Sequence, residues 1–211
     1  MVLGVILVSM MLHELMHGFI AYRLGDETAR LLGRLSFNPL KHVDPFMTIM
    51  LPLFIVMTNG ISGTNMPIFG GAKPVPFNPA NIEHDEWGVA LMAIAGPLTN
   101  LLLAFICFGV LAVSGVDQNT FIGDLLSIAV SVNIGFFVFN ILPLPPLDGS
   151  RVMYALAPEF VRHAMDVIER YGLILVFAVV MLFNDVIMAY MMAAMTGILQ
   201  VFSRVFGVAI G

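Results

Sequence analysis

The stretch "VLGVILVSMMLHELMHGFIAY" (residues 2–22) has the length of a membrane-spanning helix, yet it carries two histidines and a glutamate. At 1.5 Å per residue, about 20 apolar residues cross a hydrocarbon core of roughly 30 Å. A charged side chain at the centre of such a helix costs roughly 2.5 to 3.5 kcal/mol on insertion scales, and residues of this kind usually serve function. The stretch therefore predicts a spanning helix built around His13, Glu14 and His17.

The composition of the whole chain agrees with a membrane protein. Of its 211 residues, 59% are hydrophobic and only 11% are charged, against roughly 25% charged in soluble domains. The mean hydropathy is +0.96. The nine basic residues are scattered over a chain of net charge -5, so the sequence has no basic patch of the kind that binds nucleic acid. The single cysteine, Cys107, excludes an intrachain disulfide.

Apolar residues concentrate in four long segments, 1–24, 88–115, 122–143 and 171–207. The last is long enough for two helices, with Asn184 and Asp185 at the turn between them. We expect an all-α polytopic membrane protein of about five to six transmembrane segments. It forms one domain over residues 1–211, with a core at about 1–150 and C-terminal helices at about 171–207.

A shorter apolar segment, residues 46–57, contains Pro52 and spans only about 18 Å as a helix. Basic residues occur in 23–87 and in 144–170, and the positive-inside rule favours the cytoplasmic side for both ranges. Both can lie on that side only if segment 46–57 enters the membrane and returns without crossing it. We therefore predict a re-entrant, β-like loop region at about 46–82 and an external N-terminus. The Gly, Pro and Asn residues of 59–82 indicate turns and short extended strands, and an ordinary surface loop is the alternative.

The spacing of the two histidines indicates a metal site. In a helix, His13 and His17 share a face, so both imidazoles can reach one ion, and Glu14 can reach a water bound to it. Zinc suits imidazole ligands, and a catalytic zinc site needs three protein ligands. HExxH also occurs by chance on polar helix faces, but three ionisable groups within an apolar helix favour metal binding.

The third ligand must come from a distant part of the chain. His42, His84 and His163 lie among charges, where solvated side chains are the simpler reading. The acidic run Glu83, Asp85 and Glu86 precedes a helix whose macrodipole it favours. Asp148 is the better candidate, because three prolines before it end the preceding helix and can aim its carboxylate back at a site near the cytoplasmic end of the bundle.

Three motifs together carry a family resemblance. "HELMH" (13–17), "AGPLTN" (95–100) and "NILPLPPLDG" (140–149) resemble the site-2 protease family of intramembrane zinc metalloproteases. "GRLSFNPLKHVDP" (33–45) and "FGGAKPVPFNP" (69–79) look like the compact prokaryotic branch without PDZ or CBS domains. The resemblance covers nearly the whole chain.

The resemblance implies a three-helix catalytic core in which His13, His17 and Asp148 bind one Zn²⁺ ion and Glu14 is the catalytic acid and base. It implies that Asn140 and Asn100 contact substrate or the transition state. Either asparagine could instead hydrogen-bond to a backbone group that a neighbouring proline leaves unpaired, or link two helices.

The resemblance also implies a substrate and a location. The substrate would be a single-span membrane protein, already cut once by another protease. The Gly/Pro-rich composition of "GGAKPVPFNP" separately favours the hypothesis that this segment accepts an unwound stretch of substrate as an added strand. The enzyme would lie in the prokaryotic cytoplasmic membrane, within the lipid bilayer, with its active site towards the cytoplasm. A metal-ion transporter, a zinc-dependent structural protein and an inactive homologue that binds membrane partners are the alternatives.

Overall fold

The computed structural model of the protein describes residues 1–38, 41–44, 50, 57, 73–117 and 120–208. Helices account for most of these residues, which confirms the predicted all-α class. They are α1 (Val2–Arg23), α2 (Thr28–Leu31), α3 (Asp85–Ser114), α4 (Phe121–Asn140), α5 (Asp148–Leu156), α6 (Glu159–Leu182) and α7 (Asn184–Phe206).

Four of the described helices, α1, α3, α4 and α7, are long and apolar enough to cross a membrane. They confirm a polytopic membrane fold. The further crossing expected from residues 171–207 would rest on the end of α6, whose path changes at Gly172, where φ is 48° and ψ is -132°. Residues 173–182 span only about 15 Å as a helix. A total of five to six crossings therefore stays a prediction.

The helix boundaries follow local sequence signals. The predicted break in segment 171–207 is present, but it lies at Phe183, and the predicted turn residues Asn184 and Asp185 begin α7. Helix α4 ends at Asn140, three residues before Pro143, since the residue before a proline avoids helical backbone. Helix α3 carries Asp85 and Glu86 in its first turn, where the sequence places negative charge favourable to the macrodipole.

Helix α3 lies at the centre of the bundle and packs against α1, α4, α5 and α7. An apolar cluster holds α3, α4 and α7 together: Ala104, Val130, Ile134, Val138 and Phe202 are all buried in it. Burial of this kind stabilises by roughly 25 cal/mol per Å² of apolar surface removed from water. Between helices in lipid, van der Waals contact between closely packed side chains provides part of this stabilisation instead. The arrangement leaves α3 in direct contact with the histidine-bearing helix α1.

The predicted loop region is described only in part. The re-entrant segment predicted at 46–57 lies outside the described residues apart from 50 and 57, and residues 59–72 lie outside them too. Residues 73–78, which we call the Pro-rich segment, form neither helix nor strand. Lys73 and Val75 each precede a proline, which favours extended backbone.

Asp26, just beyond α1, anchors the end of the Pro-rich segment. Its fully buried carboxylate accepts hydrogen bonds from Thr28 N (3.1 Å), Thr28 Oγ1 (2.5 Å), Asn78 N (2.8 Å) and Asn81 Nδ2 (3.2 Å). Burial acts to raise the pKa of Asp26, but the bonds from Thr28, Asn78 and Asn81 together outweigh it and hold the pKa below its usual range. This carboxylate therefore ties the chain near residue 78 to the end of α1.

Candidate metal centre

Two histidines of α1 face the same point in the bundle. His13 and His17 are one turn apart, and their Nε2 atoms lie 3.0 Å from each other. The His13 side chain is buried, with only 8% of the residue exposed, and His17 is partly buried. The predicted sharing of one helix face is therefore present in the fold.

Asp148 reaches the two histidines from the start of α5. Its Oδ2 atom lies 3.1 Å from His13 Nε2 and 3.3 Å from His17 Nε2. A close backbone approach makes this possible: a Cβ at Gly149 would meet Ile141 O at 2.1 Å. The glycine after Asp148 thus lets α5 begin directly against the turn that follows α4.

Hydrogen bonds at the back of each ring orient the imidazoles. His13 Nδ1 lies 2.5 Å from Asn100 Oδ1, and His17 Nδ1 lies 2.9 Å from Met92 O. Both partners are oxygen acceptors, so each Nδ1 carries a proton and donates it. In a neutral ring the lone pair then lies on Nε2, the atom that faces Asp148.

This cluster requires positive charge at its centre. Two imidazole lone pairs and a carboxylate oxygen converge within 3.3 Å, and the buried Asp148 Oδ2 has no hydrogen-bond donor among the described residues. A metal ion bound between the three atoms would supply that charge. Ligand atoms of a tetrahedral zinc site with bonds of roughly 2.0 Å lie about 3.3 Å apart, close to the separations seen between His13, His17 and Asp148. The donor set and its dimensions fit Zn²⁺.

Gly96 of α3 provides the space in which the histidines sit. A Cβ at this position would lie 2.4 Å from His17 Nε2 and 2.7 Å from His13 Nε2. No larger residue fits here without displacing the rings. The glycine of "AGPLTN" is therefore explained by the close approach of α3 to the metal ligands.

Comparison with known proteins agrees with this geometry. The sequence model of peptidase family M50 matches residues 1–120 and 115–183, which together cover most of the chain. The chain belongs to peptidase family M50. Its apolar helices and this membership make it an integral membrane protein, and both the family and the relatives named below support a metalloprotease.

Two curated relatives illustrate the M50 match. The candidate zinc metalloprotease YwhC of Bacillus subtilis (strain 168) is 39% identical over 210 residues, which cover 95% of this chain and 90% of that protein. The candidate zinc metalloprotease Rip2 of Mycolicibacterium smegmatis (strain ATCC 700084 / mc(2)155) is 29% identical over 175 residues. That match covers 81% of this chain and 62% of Rip2. No solved structure gives a significant match.

Glu14, the glutamate of the HExxH motif, follows the first candidate ligand and is held by the Pro-rich segment. Glu14 is partly buried, and its Oε2 accepts a hydrogen bond of 2.8 Å from Val75 N. Val75 itself is buried against α1, where a Cβ at Gly18 would come within 2.9 Å of its Cγ1. The absence of a side chain at Gly18 thus allows the segment to reach Glu14.

The two predicted asparagines occupy different positions. Asn100 is fully buried behind His13 and links α3 to α1, which is one of the alternatives that the sequence leaves open. Asn140 Nδ2 donates to Phe136 O, four residues earlier in its own helix, at 3.0 Å. Among the described contacts Asn140 does not touch the three candidate ligands, and its role towards substrate stays a prediction.

The remaining histidines divide into two groups. His84 and His163 are exposed, as expected of solvated side chains. His42 is instead buried, with 3% of the residue exposed, because its Nε2 bonds Ser36 O at 2.9 Å within the chain that follows α1. The expectation of a solvated His42 is wrong. A run of charged neighbours does not reveal how a loop folds back on itself.

Two buried polar residues outside the site itself escape sequence reasoning. Asn133 of α4 and Ser9 of α1 are buried next to Asn100. The signal in the sequence is Asn133 in the middle of the apolar segment 122–143. An asparagine side chain in a membrane is costly unless it has a hydrogen-bond partner.

Proposed function

We propose that this protein is an intramembrane zinc metalloprotease of the site-2 protease type, which hydrolyses peptide bonds within or near transmembrane segments of membrane proteins. The observation that carries the proposal is the convergence of His13 Nε2, His17 Nε2 and Asp148 Oδ2 within 3.3 Å. The two histidines, with Glu14 next to His13, belong to α1, which is apolar enough to span a membrane. A structural metal site would have no use for the adjacent glutamate.

His13, His17 and Asp148 would hold the zinc ion, which leaves a fourth position open for water or substrate. When bound, zinc acts as a Lewis acid, polarising a carbonyl group and making water more acidic. The protein contributes the orientation of the ligands. The hydrogen bonds from the two Nδ1 atoms to Asn100 and to Met92 fix the rings before any metal arrives.

Glu14 is proposed as the catalytic acid and base. It follows His13 directly in α1, and the Val75 N–H holds one of its carboxylate oxygens in place. A carboxylate that accepts this bond is ready to take a proton from attacking water and pass it to the leaving amine. General acid–base catalysis of this kind contributes roughly 10² to 10⁴ in rate.

Water must reach the site, and the position of the ligands in α1 favours entry from the cytoplasmic side. His13 and His17 lie ten and six residues before the end of α1 at Arg23, or about 9 to 15 Å from it. Basic residues lie at that end and in the chain that follows it: Arg23, Arg30, Arg34 and Lys41. The positive-inside rule puts them in the cytoplasm, so we propose a prokaryotic cytoplasmic membrane with the site facing inward.

A helical substrate must also be unwound, because its backbone hydrogen bonds shield the scissile carbonyl. The Pro-rich segment is proposed to receive an extended chain, because it is neither helix nor strand and its neighbours hold it in place. Arg34 Nη2 donates to Lys73 O (2.8 Å) and Pro74 O (3.3 Å), Asp26 binds Asn78 N, and Glu14 binds the middle of the segment. An unwound single-span substrate, already shortened by another protease, could pair beside this segment.

The Glu14→Gln variant tests the proposal. It keeps the size of the side chain and removes its ability to take a proton, so it should retain zinc and lose at least about 10²-fold in cleavage rate. Zinc is measured in purified protein by mass spectrometry, and cleavage by proteomics of host membranes, which reports cytoplasmic fragments that disappear. Glu27→Gln is the matched control, because Glu27 is surface-exposed and pairs only with Arg30 among the described contacts.

The same experiment separates the alternatives. A metal-ion transporter would tolerate Glu14→Gln better than loss of a histidine ligand, and an inactive homologue would show no fragment difference at all. Unchanged fragments in a zinc-loaded Glu14→Gln protein would overturn the protease assignment.

A further inference from the structure

A buried polar chain runs from α4 through α3 to the first metal ligand on α1. Asn133 Nδ2 donates to Ala129 O (2.8 Å) and to Ser9 Oγ (2.9 Å), and Asn100 Nδ2 lies 2.8 Å from Asn133 Oδ1. Asn100 Oδ1 in turn lies 2.5 Å from His13 Nδ1. Asn100, Asn133 and Ser9 are exposed by 0%, 2% and 3%, so water does not compete for these bonds.

The backbone carbonyl of Ala129 fixes the direction of every bond in this chain. A carbonyl oxygen can only accept, so the Asn133 amide must turn its nitrogen towards Ala129 and its oxygen towards Asn100. Asn100 must then present its nitrogen to Asn133 and its oxygen to His13. The remaining partner, His13 Nδ1, has to be the donor.

We propose that Asn133 is a positioning residue for zinc binding, which acts through Asn100 to hold His13 in the tautomer protonated at Nδ1. In that tautomer the Nε2 lone pair faces His17 and Asp148. With the amide of Asn100 reversed, its nitrogen would face Nδ1, the proton would move to Nε2, and the ligand atom could no longer bind a metal ion.

The apolar surroundings strengthen the influence of Asn133 on the orientation of Asn100. Within a bundle of spanning helices few other groups can satisfy an amide, and a hydrogen bond in a low-dielectric interior is stronger than in water. Asn100 has one further contact, to Ser9 O at 3.5 Å, which is too long to fix its orientation. The orientation of Asn100 therefore depends on Asn133.

Two substitutions at one position separate this role from helix packing. Asn133→Leu keeps the number and branching of the side-chain heavy atoms and removes the acceptor that faces Asn100. Asn133→Asp keeps the shape and an oxygen towards Asn100, and its carboxyl, neutral when buried among apolar helices, can still donate to Ala129. Val130→Ala is the control, since Val130 is buried one turn earlier in the apolar cluster of α3, α4 and α7.

The measurements are zinc affinity and the tautomer of His13. Zinc chloride is titrated into the purified full chain against a chromogenic chelator, and the imidazole ¹⁵N shifts of the metal-free protein report which ring nitrogen carries the proton. We expect Asn133→Leu to lose about 10- to 100-fold in zinc affinity and to populate the Nε2–H tautomer. Asn133→Asp and Val130→Ala should keep both properties close to wild type.

Ser9→Ala sharpens the test. Ser9 only accepts from Asn133, and Ala129 alone suffices to fix the direction of the chain, so this variant should bind zinc as the wild type does. Wild-type affinity and tautomer in a folded Asn133→Leu protein would overturn the proposal. If Asn133→Leu does not fold, loss of zinc affinity in a folded Asn133→Asp protein would overturn it instead.

This inference rests on the proposed zinc site, but the two can fail separately. A wild-type protein that binds no zinc would contradict the proposed function. A wild-type protein that binds zinc, together with Asn133 variants that bind it equally well, would contradict only the role of Asn133.

Discussion

The close approach of α3 to the histidines makes a sharp prediction for Gly96→Ala. The added Cβ would lie 2.4 Å from His17 Nε2, 2.5 Å from His17 Cε1 and 2.7 Å from His13 Nε2, whereas ordinary contacts begin at 3.4 Å. One or both rings must therefore move by about 1 Å, several times the roughly 0.2 Å tolerance of a metal–ligand bond.

The expected loss of zinc affinity follows from the contacts that this ring movement breaks. A shift of about 1 Å strains the bond from His17 Nδ1 to Met92 O, and loss of such an outer contact alone weakens metal binding roughly 10- to 100-fold. Since the ligand atom is displaced as well, we expect zinc affinity to fall by at least about 100-fold. Cleavage should fall in parallel, because misplacement of this size alone can cost about 10²-fold in rate.

The assay compares Gly96→Ala with Gly135→Ala. Gly135 lies within α4, and a Cβ there meets no described atom within 4 Å, so this control makes the same chemical change in a helix without a clash. Zinc affinity is measured by chelator competition and folding by thermal denaturation in detergent. A folded Gly96→Ala protein with wild-type zinc affinity would refute the argument that α3 shapes the ligand cradle.

Two further predictions concern the Pro-rich segment. Val75→Pro removes the N–H that holds Glu14, and a hydrogen bond to a charged group contributes about 1.5 to 3 kcal/mol, so kcat should fall roughly 10- to 100-fold while zinc stays bound. Val75→Ala, which keeps the N–H, is its control, and equal kcat values in the two variants would contradict the role of this bond. Asp26→Asn tests the anchor at residue 78 through pH. Because the folded pKa of Asp26 lies below its unfolded value of about 3.9, its contribution to stability is present at neutral pH and lost as pH falls through the folded pKa. The Tm difference between wild type and Asp26→Asn should therefore shrink below about pH 4, and a constant difference across that range would exclude the carboxylate as the cause.

Much of the candidate site could be predicted because its signals are local or follow simple periods. The HExxH spacing places two imidazoles on one helix face whatever the rest of the fold does. Prolines before Asp148 end a helix by removing N–H donors, so the carboxylate stands at the start of a new element. The break near Asn184 is likewise visible in the hydropathy pattern.

Contacts between distant residues could not be predicted in the same way. His13 and Asn100 are 87 positions apart, and Asn100 and Asn133 are 33 apart. Their hydrogen bonds depend on how α1, α3 and α4 are rotated about their axes, and hydropathy says little about rotation in an apolar bundle. The buried position of His42 could not be predicted for a different reason: its bond to Ser36 O joins residues only six positions apart and depends on how the loop after α1 folds back on itself.

The amino-acid sequence by itself determined the membrane setting, the all-α class and the identity of the residues able to bind a metal ion, because hydrophobicity, helical period and proline act over short stretches of chain. Only the tertiary structure decided how those residues are oriented. Ala129 directs Asn133 within α4, but three helices had to meet before Asn133 could direct Asn100 and Asn100 could direct the proton on His13. Hydrogen bonds have direction and require contact, and contact between distant segments exists only once the bundle has formed.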